Sequence, residues 1–345
     1  MNPRPLVFIT TRLPPAICGI GSYSWLLREH WPNESRPVHF LTVDPGTSPR
    51  GDRVTAFANR GDDLADALQA IGSADVLLHY AGRAYQRFGV PLSLARSLEH
   101  WKREHRDARL TIFVHELPAT FSITSRHYWL GVMSKQVIRR LARSADVLIT
   151  NTEHHRETLK KISGRDDVHV FPIASNIEPP NESDPPRGCG EFVVFGLPFG
   201  REQTVGLFGP SIDRWHAAGR LTKLHVIGPA PATPRNSSFV LEHGALTPPE
   251  VSKILQRAEF GLTNANETTW SKSGSFMALA AHGCLPVIAG ARVTAPLVHA
   301  VAANELEAIS DAEVETRRRE LRRWYRENAD WQVIAPRIAR LVSPL

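Results

Sequence analysis

The chain has 345 residues, 42% of them apolar, and a formal net charge of +6 at pH 7. That length suits two α/β domains of ordinary size, and the apolar fraction excludes a disordered chain or a short-period repeat. The three cysteines, Cys18, Cys189 and Cys284, are odd in number and far apart, so neither a disulfide framework nor a cysteine-based zinc site is expected, and a reducing cytoplasm is the expected location.

The opening "MNPRPLVFITTRLPP" has an apolar run too short for a signal peptide, and no later run reaches the length of a bilayer span. Lys and Arg outnumber Asp and Glu by 23 to 17 over residues 1–175 and equal them at 18 and 18 over 176–345, so the whole excess lies in the first half. Much of it sits in "SLEHWKREHRDAR" (97–109) and "SKQVIRRLARSAD" (134–146), where Val137, Ile138 and Leu141 have helical spacing. Solvated helix faces are the plainest reading of these runs. A surface for a phosphorylated acceptor, or peripheral contact with an anionic membrane at its inner face, is the sharper one. No RNP, KH or zinc-finger pattern is present, so nucleic acid is not an expected partner.

Short apolar or β-branched runs recur along the first half: "LVFITT" (6–11), "VHFLTV" (38–43), "DVLLHY" (75–80), "LTIFVHE" (110–116), "DVLITNT" (146–152) and "VHVFPI" (168–173). Each precedes a polar loop and a helical stretch, the mark of βαβ units and a mostly parallel sheet. "ASNIEPPNESDPPRGCGE" (174–191) is rich in Pro, Gly, Asn and Ser and reads as a linker. Strand-like runs restart with "FVVFGL" (192–197), "KLHVIG" (223–228), "SFVLEHG" (238–244), "FGLTN" (260–264) and "LPVIAG" (285–290). The tail, 311–342, reads as two helices broken near Asn328 to Asp330. The spacing thus predicts two doubly wound domains.

In such sheets ligands lie beyond the carboxyl ends of the strands, and four loops there carry candidate chemistry. In "RLPPAICGIGSYSWLL", Gly19 and Gly21 allow close backbone approach at a helix start, or simply a tight turn. "FVHELP" puts His115 and Glu116 at a strand end, where they can meet a sugar hydroxyl; a histidine bonded within a crowded corner is the alternative. "GLPFGREQTVG" offers Arg201 as a diphosphate clamp or as an ordinary surface arginine. In "NETTWSKSGSFMALAAHG", Ser273 is the expected N-cap, and Lys272 with the amides of Gly274 and Ser275 would converge on one anion.

Taken in order, these segments resemble the GT-B glycosyltransferases of the family-4 type over nearly the whole length. "CGIGSYSWLL" is similar to the amino-terminal glycine loop, "LHVIGPAP" (224–231) and "VLEHGALTPPEVSKILQRAEFGLTNA" (240–265) to the central donor-domain blocks, and "AAHGCLPVIAG" to the stretch after the donor-site helix. The resemblance implies two doubly wound Rossmann-like domains facing a central cleft. Residues 1–175 would form the acceptor-side domain, 176–190 the linker, 191–320 the donor domain, and 321–345 a closing helix crossing back to the first domain. It implies a retaining, hexosyltransferase-like enzyme that moves a sugar from a nucleotide-sugar co-substrate, with no further cofactor, to a carbohydrate, lipid-linked or small-molecule acceptor.

His115 would then contact the donor sugar with Glu116 beside it, and Glu267 would position a sugar hydroxyl. Arg201, Lys272, Ser273, Gly274 and Ser275 would stabilise the departing diphosphate, while Gly19 and Gly21 make room. No Asp-x-Asp motif occurs, so a metal-independent reaction is expected. One position departs from the family's E-x7-E pattern: Met277 stands where the ribose-binding glutamate would, and it cannot accept a hydrogen bond as a carboxylate does. A nucleotide-sugar epimerase and a non-enzymatic binding module with a decayed donor site are the alternatives.

Overall fold

A computed structural model describes residues 4–32, 36–44, 46–57, 63–118, 121–179, 187–229 and 237–343. The chain divides into two compact units, Met1–Pro172 with Ile334–Leu345, and Ile173–Val333. Part of the expected linker, residues 180–186, lies outside the described residues.

The first unit is built on a parallel sheet of seven strands: β1 (Leu6–Arg12), β2 (Val38–Asp44), β3 (Arg53–Ala56), β4 (Asp75–Tyr80), β5 (Leu110–Val114), β6 (Val147–Thr150) and β7 (Val168–Val170). Its order is β3-β2-β1-β4-β5-β6-β7, so the chain winds outward from β1 to one edge and restarts beside β1 at β4. Helices α1 (Gly19–Glu29), α2 (Asp63–Ile71), α3 (Gly82–Tyr85), α4 (Leu92–Glu104), α5 (Tyr128–Ser144) and α6 (Glu153–Ser163) fill the connections. A sheet covered on both faces needs apolar residues at successive positions rather than alternate ones. Accordingly β5 is buried at all its positions and β1 at all but Arg12. Phe8 of β1 meets Trp31 and Phe40 edge-on, with ring centroids 5.4 and 5.2 Å away, and burial of a side chain of this size contributes about 1.5–3 kcal/mol.

The second unit repeats the plan with β8 (Gly188–Phe195), β9 (Lys223–Ile227), β10 (Val240–Gly244), β11 (Ala258–Leu262), β12 (Leu285–Ile288) and β13 (Val301–Ala302) in the order β10-β9-β8-β11-β12-β13, all parallel. Its helices are α7 (Pro198–Ala217), α8 (Pro248–Arg257), α9 (Gly274–His282) and α10 (Asp311–Asn328). Phe192, Phe208, Trp215 and Phe260 form the aromatic centre of its core.

The tail breaks where the sequence places the break. Helix α10 starts at the Ser310 cap and ends at Asn328, and α11 (Trp331–Val342) follows after Asp330 accepts a hydrogen bond from the Gln332 amide. Trp331 Nε1 donates to the Ser175 carbonyl within the second unit, whereas residues from Ile334 onward count with the first. β3 and β13 leave no mark in the sequence, because "RVTA" is a largely unburied edge strand without an apolar run and β13 has two residues. Among the described residues no helix is long and apolar enough to cross a membrane. Of the basic helical runs, Arg140 of α5 binds Glu99 of α4 at 2.8 Å and Lys102 binds Asp146 at 2.8 Å, so part of that charge is already neutralised.

Candidate functional site

Each sheet has a switch point where the winding reverses, between β1 and β4 in the first unit and between β8 and β11 in the second. The crevice beyond the carboxyl ends at such a point is where doubly wound folds hold ligands. The candidate residues lie on loops or helix starts that follow carboxyl ends of strands: Gly19 and Gly21 after β1, His115 and Glu116 after β5, Arg201 after β8, and Glu267 with Lys272 to Ser275 after β11.

In the first unit the two glycines differ. A Cβ on Gly21 would lie 1.5 Å from the Arg12 carbonyl oxygen, so α1 rests on the end of β1 through a contact that only glycine permits. A Cβ on Gly19 would meet nothing within 4 Å. Glu116 is exposed beyond β5.

His115 is buried and stacks on Phe113, two residues back on the same face of the strand, with ring centroids 4.2 Å apart. Its Nε2 lies 3.0 Å from His79 Nδ1 and its Nδ1 lies 3.3 Å from Asn151 Nδ2. An amide nitrogen only donates, so Asn151 Nδ2 donates to Nδ1, His115 Nε2–H donates to His79 Nδ1, and His79 carries its proton on Nε2. Burial, with a smaller contribution from His155, pushes His115 down to about 3, and burial with His115 itself lowers His79 well below its ordinary value. Both rings are therefore neutral at physiological pH. His79 and Asn151 do not emerge from motif reading. They emerge when β4, β5 and β6 are aligned as neighbours, because His79 pairs with Phe113 and Phe113 with Ile149.

In the second unit the segment after β11 is pre-shaped. Asn266 Oδ1 accepts from the Thr268 amide at 3.0 Å and its hydroxyl at 2.8 Å, and a short 3-10 turn, Trp270–Lys272, leads into α9. Ser273 is the N-cap, as the sequence indicates, accepting from the Phe276 amide at 3.3 Å, and its hydroxyl lies 3.2 Å from that of Ser275. Gly274 and Ser275 are the first helical residues, whose amides have no acceptor inside the helix. The space above Gly274 is open, and Lys272 beside it is exposed. From Phe276 to His282 every residue of α9 is buried, so the helix is anchored over its length while its positive end reaches the carboxyl edge of the sheet. This end of α9 unites a cation, a dipole and backbone donors, an arrangement suited to a phosphate group.

Glu267 serves the same loop. Its Oε1 accepts from the Val293 and Thr294 amides at 2.7 and 3.2 Å, and its Oε2 from the Thr294 hydroxyl at 2.6 Å. Partial burial raises its pKa, but these hydrogen bonds outweigh that and hold the carboxyl below its usual value. Glu267 thus ties the loop after β11 to the loop after β12. Asn264 Nδ2, donating to Gln203 Oε1 at 3.1 Å, ties it to α7.

Arg201 is 2% exposed and lies under the end of β9, donating to the Gly228 carbonyl at 3.1 Å and the Pro229 carbonyl at 2.7 Å. Burial lowers its pKa from the ordinary value, opposed by the nearby charges of Glu242 and Glu202. Its guanidinium braces the loops at the carboxyl edge and brings positive charge beneath them. Met277 is fully buried in the apolar core, so at this position the helix contributes packing. Among the described residues no group of three or more His, Cys, Asp or Glu is placed to hold a metal ion.

No protein-family model and no curated protein matches the sequence. Solved structures do match, and the class they define is the GT-B fold of glycosyltransferases. A glycosyltransferase from Rickettsia africae ESF-5 is similar with a TM-score of 0.67 at 8% identity, covering 99% of this chain and 98% of that one. WaaG, a glycosyltransferase involved in lipopolysaccharide biosynthesis, has a TM-score of 0.64 at 12% identity over 99% of this chain and 100% of its own. An α-glucosyltransferase solved with UDP and a 13-mer DNA has a TM-score of 0.63 at 13% identity over 98% and 99%. These likenesses establish that the chain has the GT-B fold.

Proposed function

We propose that the protein is a glycosyltransferase that moves a sugar from a nucleoside diphosphate donor, with retention of configuration, to a carbohydrate, lipid-linked or small-molecule acceptor. The observation that carries the reading is the start of α9, where exposed Lys272, the first-turn amides of Gly274 and Ser275 and the open space above Gly274 lie together at the carboxyl edge of the second sheet. As the sugar–phosphate bond breaks, negative charge grows on the diphosphate, and fixed donors aimed at it lower the barrier without reorganising. Lys272 supplies the cation and the amides the hydrogen bonds, in a reaction that uses no metal. Arg201 adds positive potential from beneath while its terminal nitrogens hold the Gly228 and Pro229 carbonyls. Glu267 keeps the loop in shape. On the first unit, Glu116 is assigned to the sugar. His115, expected from the sequence to touch the sugar itself, has both ring nitrogens engaged by His79 and Asn151, so it supports the loop beneath Glu116 as a neutral, buried ring.

The test is release of nucleoside diphosphate from UDP-, GDP-, ADP- and dTDP-sugars, with and without acceptors, by the wild type and Lys272→Ala. The expected result is release from one donor class, slowed by about 10²-fold or more in the variant, the effect of removing one stabilising group from a developing charge. Turnover of the sugar without any acceptor would instead mark an epimerase. The binding-module reading has one observation in its favour, the core methionine at 277 in place of a carboxylate. It predicts that no donor is consumed by either protein.

A further inference from the structure

At the opposite end of the first sheet, the amino ends of β1, β4, β5 and β6 border a cavity of about 810 Å³, within the range that holds a small organic ligand. Six basic side chains line it: Arg4, Arg36, Lys102, Arg106, Arg109 and Arg340. Three carboxylates accompany them, and each is already matched. Asp107 binds Arg4 at 2.6 Å, Asp75 binds Arg36 at 2.6 Å, and Asp146 binds Lys102 at 2.8 Å. Arg106, Arg109 and Arg340 have no carboxylate partner among the described residues, which leaves an excess of three positive charges around one concavity. The Nε of Arg109 is enclosed and makes no hydrogen bond, although its backbone amide donates to Asp75. Like charges gathered in a concave, partly desolvated space repel one another and focus a positive potential on whatever anion enters. Trp31, Pro32 and Pro336 give the same cavity an apolar wall.

We propose that this cavity is a second ligand site, for a soluble small organophosphate, whose phosphate or diphosphate meets the guanidiniums of Arg106, Arg109 and Arg340 while its organic part lies against the Trp31 side. Planar guanidinium forks match phosphate oxygens in pairs, and an apolar wall beside them selects an ester over the bare anion. The site lies at the amino edge of the first sheet, opposite the carboxyl edge of that sheet that carries His115 and Glu116, and it stands whether or not the protein transfers sugars. The cavity also touches the tail: Ser343 donates to Asp75, and Arg340 projects from α11. Occupancy would therefore bear on the packing of α11.

The experiment is calorimetric titration of inorganic pyrophosphate into the full-length protein at constant ionic strength, in wild type, Lys272→Ala, Arg106→Ala/Arg340→Ala and the single variant Arg340→Gln. Arg106 and Arg340 are exposed, so the substitutions should leave the fold intact, and their ligand-free melting temperatures check this. The expected result is saturable binding that persists in Lys272→Ala and weakens at least about tenfold in the double variant, with Arg340→Gln intermediate. Absence of saturable binding in Lys272→Ala, or binding equally tight in the double variant, overturns the proposal.

Discussion

Gly21→Ala is expected to destabilise the first unit by more than about 3 kcal/mol, while Gly19→Ala, two residues away, stays within about 0.5 kcal/mol of wild type. The two positions share a helix, a motif and a residue type, and differ only in what a methyl group would meet. At Gly21 the new carbon would fall 1.5 Å from a backbone carbonyl oxygen, that of Arg12. No rotamer relieves that contact, because the obstacle is main chain at the end of a fully packed strand, so α1 would have to lift off β1. At Gly19 the methyl group enters open space at the first turn, where alanine is also a better helix former than glycine. Melting temperatures of the two variants measured side by side check this. A Gly21→Ala protein as stable as wild type would mean that α1 does not rest on Arg12. The consequence for function is positional, because this contact brings the start of α1 to the carboxyl edge of its sheet.

Acidification from about pH 7 to about pH 5 is expected to destabilise the protein by several kcal/mol, through histidines that fold in the neutral state. His282, at the end of α9, donates from Nδ1 to the Ala278 carbonyl at 2.7 Å and accepts at Nε2 from the Ser252 hydroxyl at 2.8 Å. Burial, assisted by Arg187 and Arg322 and opposed by the Ala278 carbonyl, pushes its pKa down to about 4 from the ordinary 6.5. His115, at about 3, and His79 are lowered in the same direction, chiefly by burial. Below pH 6.5 the unfolded chain takes up protons that the folded chain refuses. The stability these groups contribute is therefore complete above 6.5, and it is lost as the pH falls toward their folded values. Each costs at most about 1.4 kcal/mol per pH unit within that window. Scanning calorimetry across the range should show a falling melting temperature, and His282→Gln should flatten the dependence by its own share. An unchanged melting temperature between neutral pH and about pH 5 would contradict the neutral, buried assignment of all three.

The architecture was legible in the sequence because a sheet covered on both faces writes itself as continuous apolar runs. "LVFITT", "DVLLHY" and "LTIFVHE" could hardly be anything else, and the Ser273 cap followed from a serine placed before a run of small apolar residues. The short and exposed strands β3 and β13 bury too little to leave such a trace. The site was legible as positions but not as contacts. Arg201 and Glu267 stand out in the sequence as charged residues after strands, yet their hydrogen bonds to the Gly228, Pro229, Val293 and Thr294 backbone depend on loops that the sequence does not align. His79 and Asn151 join His115 only through strand order, and Met277 is explained by the core it fills. The basic cavity at the amino edge assembles residues from positions 4 to 340, which no local pattern connects.

The claim that α9 presents a nucleotide-diphosphate site is tested most directly by thermal stability in the presence of UDP, GDP, ADP and dTDP, for the wild type and Lys272→Ala. A ligand that binds only the folded state stabilises it by about 2.7 kcal/mol at a hundredfold excess over its dissociation constant. The expected result is a rise in melting temperature with one of the four nucleotides in the wild type, and a much smaller rise in Lys272→Ala. No rise with any nucleotide at saturating concentration, or an equal rise in the variant, would contradict the assignment of the phosphate to the start of this helix.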